Sequence, residues 1–156
     1  MYLWLKLLHV LAVVTFLGSI VAGFFWHAHA ARTRDAKLLA HTVAGVIRSD
    51  RMLVGPSALL LIASGIVLSI NSGIPVLGTG WILWTLLLFV AGALVTLLRI
   101  APLQRQLLQI AQASAGSAGF NYAAYDELAH RWSIWVVLAV LGPAFGVVLM
   151  VLKPTF

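Results

Sequence analysis

Four apolar runs alternate with shorter polar stretches along the chain, at about residues 3–27, 52–70, 81–100 and 132–152. In the first, Leu7 to Trp26 carries only His9, Thr15 and Ser19 as polar side chains. A transmembrane helix needs about 20 mostly apolar residues at 1.5 Å of rise each, and every run is close to that length. Backbone exposed to lipid must hydrogen-bond within its own segment, so such runs predict helices. The short alternating strands of a β-barrel are missing. The pattern predicts an all-α fold: one domain, an antiparallel bundle of four transmembrane helices with cytoplasmic helical extensions.

The polar stretches refine this outline. Leu38, Leu39, Val43 and Ile47 have helical spacing, so residues 36–51 and the second span read as one long helix. Gly55-Pro56 is then either a kink or a first-turn proline. The turn-rich, uncharged link from Asn71 to Gly80 predicts that spans two and three are antiparallel neighbours. Beyond Arg99 and Pro102, Leu103 to Ala113 looks amphipathic, with Gln104, Arg105, Gln106 and Gln109 on its polar side, and Ala113 to Gly119 is small and flexible. A lead-in from Asn121 precedes the fourth span; its Asp126 and Glu127 are expected to complement a helix start, and Asp50-Arg51 to form a local charge pair. Small residues (Ser19 and Gly23, Ser64 and Gly65, Gly92, and Gly142 to Gly146 with Pro143 between) mark faces where backbones approach. Short outer and long inner links give a weak two-hairpin symmetry without a sequence repeat.

Composition places the chain in the membrane class. It is 62% hydrophobic and 9% charged with a mean hydropathy of +1.04, where soluble proteins carry about 25% charged residues. The first run is too long for a removable signal peptide and lacks a basic leader, so it reads as retained. A net charge of +6 invites comparison with nucleic-acid binders. The cations instead flank apolar segments, which makes the lipid bilayer and its anionic headgroups the partner and excludes a nucleic-acid arm. Five basic residues follow the first span and three follow the third, against Lys6 and Lys153 on the other side. By the positive-inside rule both basic loops are cytoplasmic and both termini face outward, as in a multi-pass protein of a bacterial inner membrane.

Absent cysteine excludes disulfides, thiolate metal sites, iron–sulfur clusters and covalently attached haem. Carboxylate pairs, nucleophile elbows and phosphate loops are also missing, and no acidic residue lies within a span, which leaves ion-coupled transport unsupported. His9 is the leading candidate for chemistry, because an ionisable residue inside a span is costly. Its imidazole is placed to ligate a metal such as haem iron, to hydrogen-bond a backbone carbonyl or a hydroxyl, or simply to reach the outer interface. Lys6 lies three residues earlier on the same helix face, and Lys153 ends at the same membrane surface. The pair reads either as anion partners for porphyrin propionates or as snorkelling interface lysines. His27, His29, His41 and His130 gather at the opposite face, about 27 Å of helix from His9, and read as a second metal group or as solvated loop and interface histidines.

Several motifs together resemble a known family. Trp4-Leu-Lys-Leu-Leu-His9, Asp50-Arg51-Met-Leu-Val-Gly-Pro56 with Ser64-Gly65, Gly80-Trp81 and Leu149-Met-Val-Leu-Lys153-Pro154 are similar to motifs of an uncharacterised bacterial family of four-helix membrane proteins, a domain of unknown function. More distantly the pattern resembles HemJ-type protoporphyrinogen oxidases and the membrane part of CopD-like copper-resistance proteins. The HemJ likeness implies haem b, with a functional histidine and lysine that carry over to His9 and Lys153. Trp81 to Ile100 has no histidine where a second axial ligand is expected.

The leading expectation is a membrane protein that binds b-type haem or a related porphyrin near its outer face, with His9 as axial ligand, Lys6 and Lys153 as anion partners, and any redox chemistry belonging to the cofactor. A second is a cofactor-free accessory or packing subunit that binds a membrane partner or a copy of itself. A third, copper handling, has only the scattered Met1, Met52 and Met150 as soft ligands. The predicted orientation has a direct check: a C-terminal reporter active only outside the cytoplasm should report, and a cytoplasm-only reporter at that end should stay silent.

Overall fold

The computed structural model describes residues 2–114 and 120–154, and among them every element is helical. In order these are α1 (Tyr2–Thr33), α2 (Ala36–Ser49), α3 (Gly55–Asn71), α4 (Gly80–Val95), α5 (Ala101–Ser114) and α6 (Tyr122–Leu152). Turns of π-helix at Asp50–Val54 and Thr96–Ile100 fuse α2 to α3 and α4 to α5. The chain is therefore four rods, each long and apolar enough to cross a membrane. Each exceeds a bilayer core of about 30 Å: the 32 residues of α1 alone span about 48 Å. The expected lead-ins to spans two and four are continuous with them. The stretch read as flexible, Ala113 to Gly119, falls largely outside the described residues.

Local chemistry sets the helix ends. Asp35 caps α2 by accepting from the Lys37 and Leu38 amides at 2.8 and 3.2 Å, and Asn121 caps α6 by accepting from Ala124 at 3.1 Å. Arg34 makes the turn between α1 and α2 with φ 53°, unusual for a residue with a side chain. The start of α6 holds it there. Its guanidinium donates to Asp126 at 2.7 Å and lies 5.2 Å from the Tyr122 ring centroid, and the Tyr122 hydroxyl donates to its carbonyl. Asp126 thus ties α6 to the α1–α2 turn, and Glu127 pairs with Arg131 one turn on at 2.6 Å; neither sits in the first turn where a dipole role was expected.

Both π-turns precede a proline by two residues. A proline lacks an amide and crowds the carbonyl four residues back. Here the amides of Gly55 and Ala101 reach back five residues, to Asp50 and Thr96. Pro56 and Pro102 then enter fresh α-helical turns, so Pro56 is a first-turn proline in an unbroken rod. The expected Asp50–Arg51 pair is replaced by a longer-range one. Asp50 accepts from the Gln104 side chain at 2.7 Å. Gln104, placed on the polar side of its helix by pattern alone, is buried with Leu107 and Ala111 on the stripe that faces α2.

Packing differs between the two ends of the bundle. At the end carrying the basic loops, α2 packs on α5, and Leu39, Val43, Leu107 and Tyr125 are fully buried among α1, α2, α5 and α6. Toward the termini the rods separate into two pairs, α1 with α3 and α4 with α6. Although a short link joins α3 and α4, no Cα atoms of the two come within 8 Å, contrary to the neighbour relation expected from the link. Their small-residue faces are already committed to other helices. Ser64 of α3 faces α1, while α4 lies against the glycines of α6. Phe16 and Phe89, with ring centroids 5.3 Å apart, connect the pairs.

The α4–α6 contact is the closest in the bundle to a backbone-on-backbone approach. Pro143 leaves the Ala139 carbonyl without its helical amide partner, and a Cβ on Gly92 would lie 2.9 Å from that oxygen. A Cβ on Gly142 would lie 3.1 Å from the Leu88 carbonyl. Gly92→Ala should therefore force the helices apart and lower stability by about 1–3 kcal/mol, whereas Gly18→Ala, which meets nothing within 4 Å, should leave it unchanged or raised. Thermal unfolding of the detergent-solubilised variants, followed by far-UV circular dichroism, checks the contrast.

Candidate functional site

His9 sits between α1 and α3. Its Nδ1 lies 2.8 Å from the Ser64 hydroxyl, which itself donates to the Leu60 carbonyl at 2.5 Å. With its proton engaged there, the Ser64 oxygen accepts from His9 Nδ1–H. This fixes the tautomer that leaves a lone pair on Nε2, and Nε2 has no hydrogen-bond partner among the described residues. Gly65 makes room for the ring: a Cβ there would lie 3.4 Å from His9 Cε1. Sequence reading missed both partners, although a signal existed. His9 is seven residues from the start of α1 and Ser64 seven from the end of α3, which gives equal depths in an antiparallel pair.

The two lysines lie at the same end of the bundle as His9. Lys6 is exposed on α1. Lys153 caps α6 in the left-handed conformation, φ 46°, and its ammonium lies 5.7 Å from the Trp81 ring centroid. No hydrogen bond or ion pair among the described residues joins either to His9. What they share is that no acidic side chain among the described residues pairs with them: Asp35, Asp50, Asp126 and Glu127 all act toward the opposite end.

A second polar centre lies near the basic loops. His27, placed by sequence among loop and interface histidines, is 4% exposed. Its Nε2 is 2.9 Å from the Tyr125 hydroxyl, its ring packs 4.6 Å from that of Trp132, and Phe24 stacks on Trp132 at 6.0 Å. The physical reason is helix length. α1 continues six residues past His27, so His27 lies inside the packed extension of the bundle rather than in a loop. Tyr125 was hidden in the polar lead-in to span four. Its signal was its place seven residues before Trp132, on the same helix face. His29, His41 and His130 are exposed, and no group of three or more metal-ligating side chains occurs among the described residues.

A comparison with known families rests on nearly the whole of this four-rod chain: the model of a family described as predicted integral membrane proteins, DUF2269, matches residues 3–154. The chain belongs to this family. No curated protein and no solved structure matches it. The DUF2269 match carries an integral membrane protein and no activity, and the expected distant likeness to HemJ-type oxidases and CopD-like proteins has no counterpart in it.

For the DUF2269 chain the His27 centre gives a clear expectation. Tyr125→Phe removes the partner of a buried imidazole and should cost about 1 kcal/mol. His27→Leu keeps the volume but strands the Tyr125 hydroxyl, and should cost about 1–3 kcal/mol. The double variant His27→Leu, Tyr125→Phe should recover part of the loss, read as non-additivity in thermal unfolding.

Proposed function

We propose that this integral membrane protein binds a b-type haem or a related porphyrin near the end of the bundle that carries its termini, with Nε2 of His9 as an axial ligand. The observation that supports the reading is the Ser64 hydroxyl, which holds His9 by Nδ1 and leaves Nε2 available. Ligating histidines commonly donate their other ring N–H to an acceptor that fixes the tautomer and orientation. His9 therefore fits the role of one ligand, and Lys6 and Lys153 fit that of cations for propionates. No group of three or more His, Cys, Asp or Glu side chains that could hold a metal ion occurs among the described residues. When bound, such a group supplies one-electron chemistry, while the chain binds and orients it and limits access of water. The cation distribution supports an inner-membrane setting with this end outward.

Purified protein expressed with haem precursors should show a Soret band. His9→Gln, which can still donate to Ser64, should lose it while keeping the helical far-UV spectrum. Ser64→Ala should keep the band with affinity lowered about 10–100-fold. Absence of the band in the wild type, or a band unchanged in His9→Gln, defeats the reading. A cofactor-free accessory subunit is the second reading, favoured by the Ser64 bond itself, because the same contact serves as a plain interhelical tie. A partner that co-purifies without chromophore or metal would establish it.

A further inference from the structure

Outside the His9 and His27 centres, a groove of about 580 Å³ runs between α1 and the α2 end of the second rod. Its α1 wall includes Val14, Gly18 and Ala22 and ends at Trp26; its α2 wall includes His41 and Gly45 and ends at Leu53. The groove crosses the membrane boundary. Twenty residues of core counted from the start of α1 end near Ala22, and tryptophan is enriched at the headgroup level. The Val14 end is thus at acyl-chain depth and the His41 end at headgroup depth.

Three observations indicate that something fills it. Gly18 and Gly45 both line it, and a Cβ on either would meet nothing within 4 Å. Glycine within a helix is unfavourable, and no contact inside the chain calls for it at these two places. The hydroxyls of Thr15, Ser19, Thr42 and Ser49 also line the groove and form no hydrogen bond among the described residues. Those of Ser57, Ser64, Thr85, Thr96 and Ser133 each bond a carbonyl of their own helix. Finally, the rim is cationic. Lys37, His41 and Arg48 follow one another at spacings of four and seven on α2, which puts them along one edge of the α2 wall, and all three are exposed. Among the described residues no acidic side chain forms an ion pair with Lys37, His41 or Arg48: Asp35 caps α2 through the backbone amides of Lys37 and Leu38, Asp50 holds Gln104, and Asp126 and Glu127 pair with Arg34 and Arg131, so this edge is open to an anion from outside the chain.

We propose that this groove is a binding site for one anionic phospholipid. Its phosphate lies against Lys37, His41 and Arg48, its glycerol and ester oxygens meet the hydroxyls at interface depth, and one acyl chain runs over Gly18 and Ala22 toward Val14. Glycine at 45 keeps the passage open between headgroup and chain. Zwitterionic lipid, whose phosphate is balanced by its own ammonium, fits the same cleft with a weaker claim on the rim. The site is independent of any cofactor at His9.

Native mass spectrometry of the full-length protein, titrated with phosphatidylglycerol or with phosphatidylcholine, tests the assignment. The wild type should bind one phosphatidylglycerol at least tenfold more tightly than phosphatidylcholine. A juxtamembrane cation contributes roughly fivefold in affinity for anionic lipid, so Lys37→Gln with Arg48→Gln should lower phosphatidylglycerol affinity about 25-fold and remove most of the preference. Gly45→Leu, at a position where a Cβ meets nothing within 4 Å, should abolish the tight adduct while thermal unfolding shows an intact fold. Arg105→Gln, a cation on another helix, should change nothing. The proposal is overturned if both lipids bind the wild type equally. It is also overturned if Gly45→Leu retains the adduct, or if the species lost in Gly45→Leu is a protein dimer rather than a lipid complex.

Discussion

Inside hydrocarbon, apolar side chains gain nothing by leaving lipid for protein, so helices must be held together by close packing and by whatever polar groups find partners. In the membrane half of this chain that constraint is met by backbone proximity. Gly92 and Gly142 bring α4 and α6 to within contact of each other's carbonyls, at a site where Pro143 has already released one of them. The other pair, α1 and α3, meets over Gly65 and is joined by His9 and Ser64. A hydrogen bond between membrane helices is worth about 0.6 kcal/mol on average, less than the cost of overpacking one glycine. Close fit therefore holds the pairs, and the His9 bond sets how the ring is oriented within one of them.

The half that carries the basic loops follows different rules. There the rods run past a 30 Å core, water returns as the competing solvent, and burial is again favourable. Leu39, Val43, Leu107 and Tyr125 are fully enclosed, His27 and Gln104 are paired, and the Arg34 turn is held by α6. The molecule is anchored at this end and divides into two hairpins at the other, with Phe16 against Phe89 between them.

The rods themselves were legible because membrane helices declare themselves by length and hydropathy, which depend on local sequence alone. The continuity of α2 with α3 and the glycine contacts of α6 were legible for the same reason: spacing and small size are local properties. Partnership between helices was not. The link between α3 and α4 is short enough to suggest neighbours, yet which face of a helix is used depends on small residues of a third helix. His27 was misplaced because nothing in a polar stretch states that its helix continues into a packed extension. At His9 the residue was legible by its cost, while Ser64 was found only through the antiparallel depth match.

The two π-turns have a consequence for how each rod is shared. A turn of π-helix holds one residue more than an α-turn, and one residue is about 100° of rotation about the axis. The stripe that α2 offers to α5 and the stripe that α3 offers to α1 therefore need not lie in line, and a single continuous rod serves two partners on different sides. Thr96–Ile100 does the same between α4 and α5. Removing one residue from Asp50–Val54 would restore simple α periodicity and swing Ser64 away from α1, with no change in hydropathy to betray it. The register of this bundle is written as a phase, at the level where membrane gives way to water.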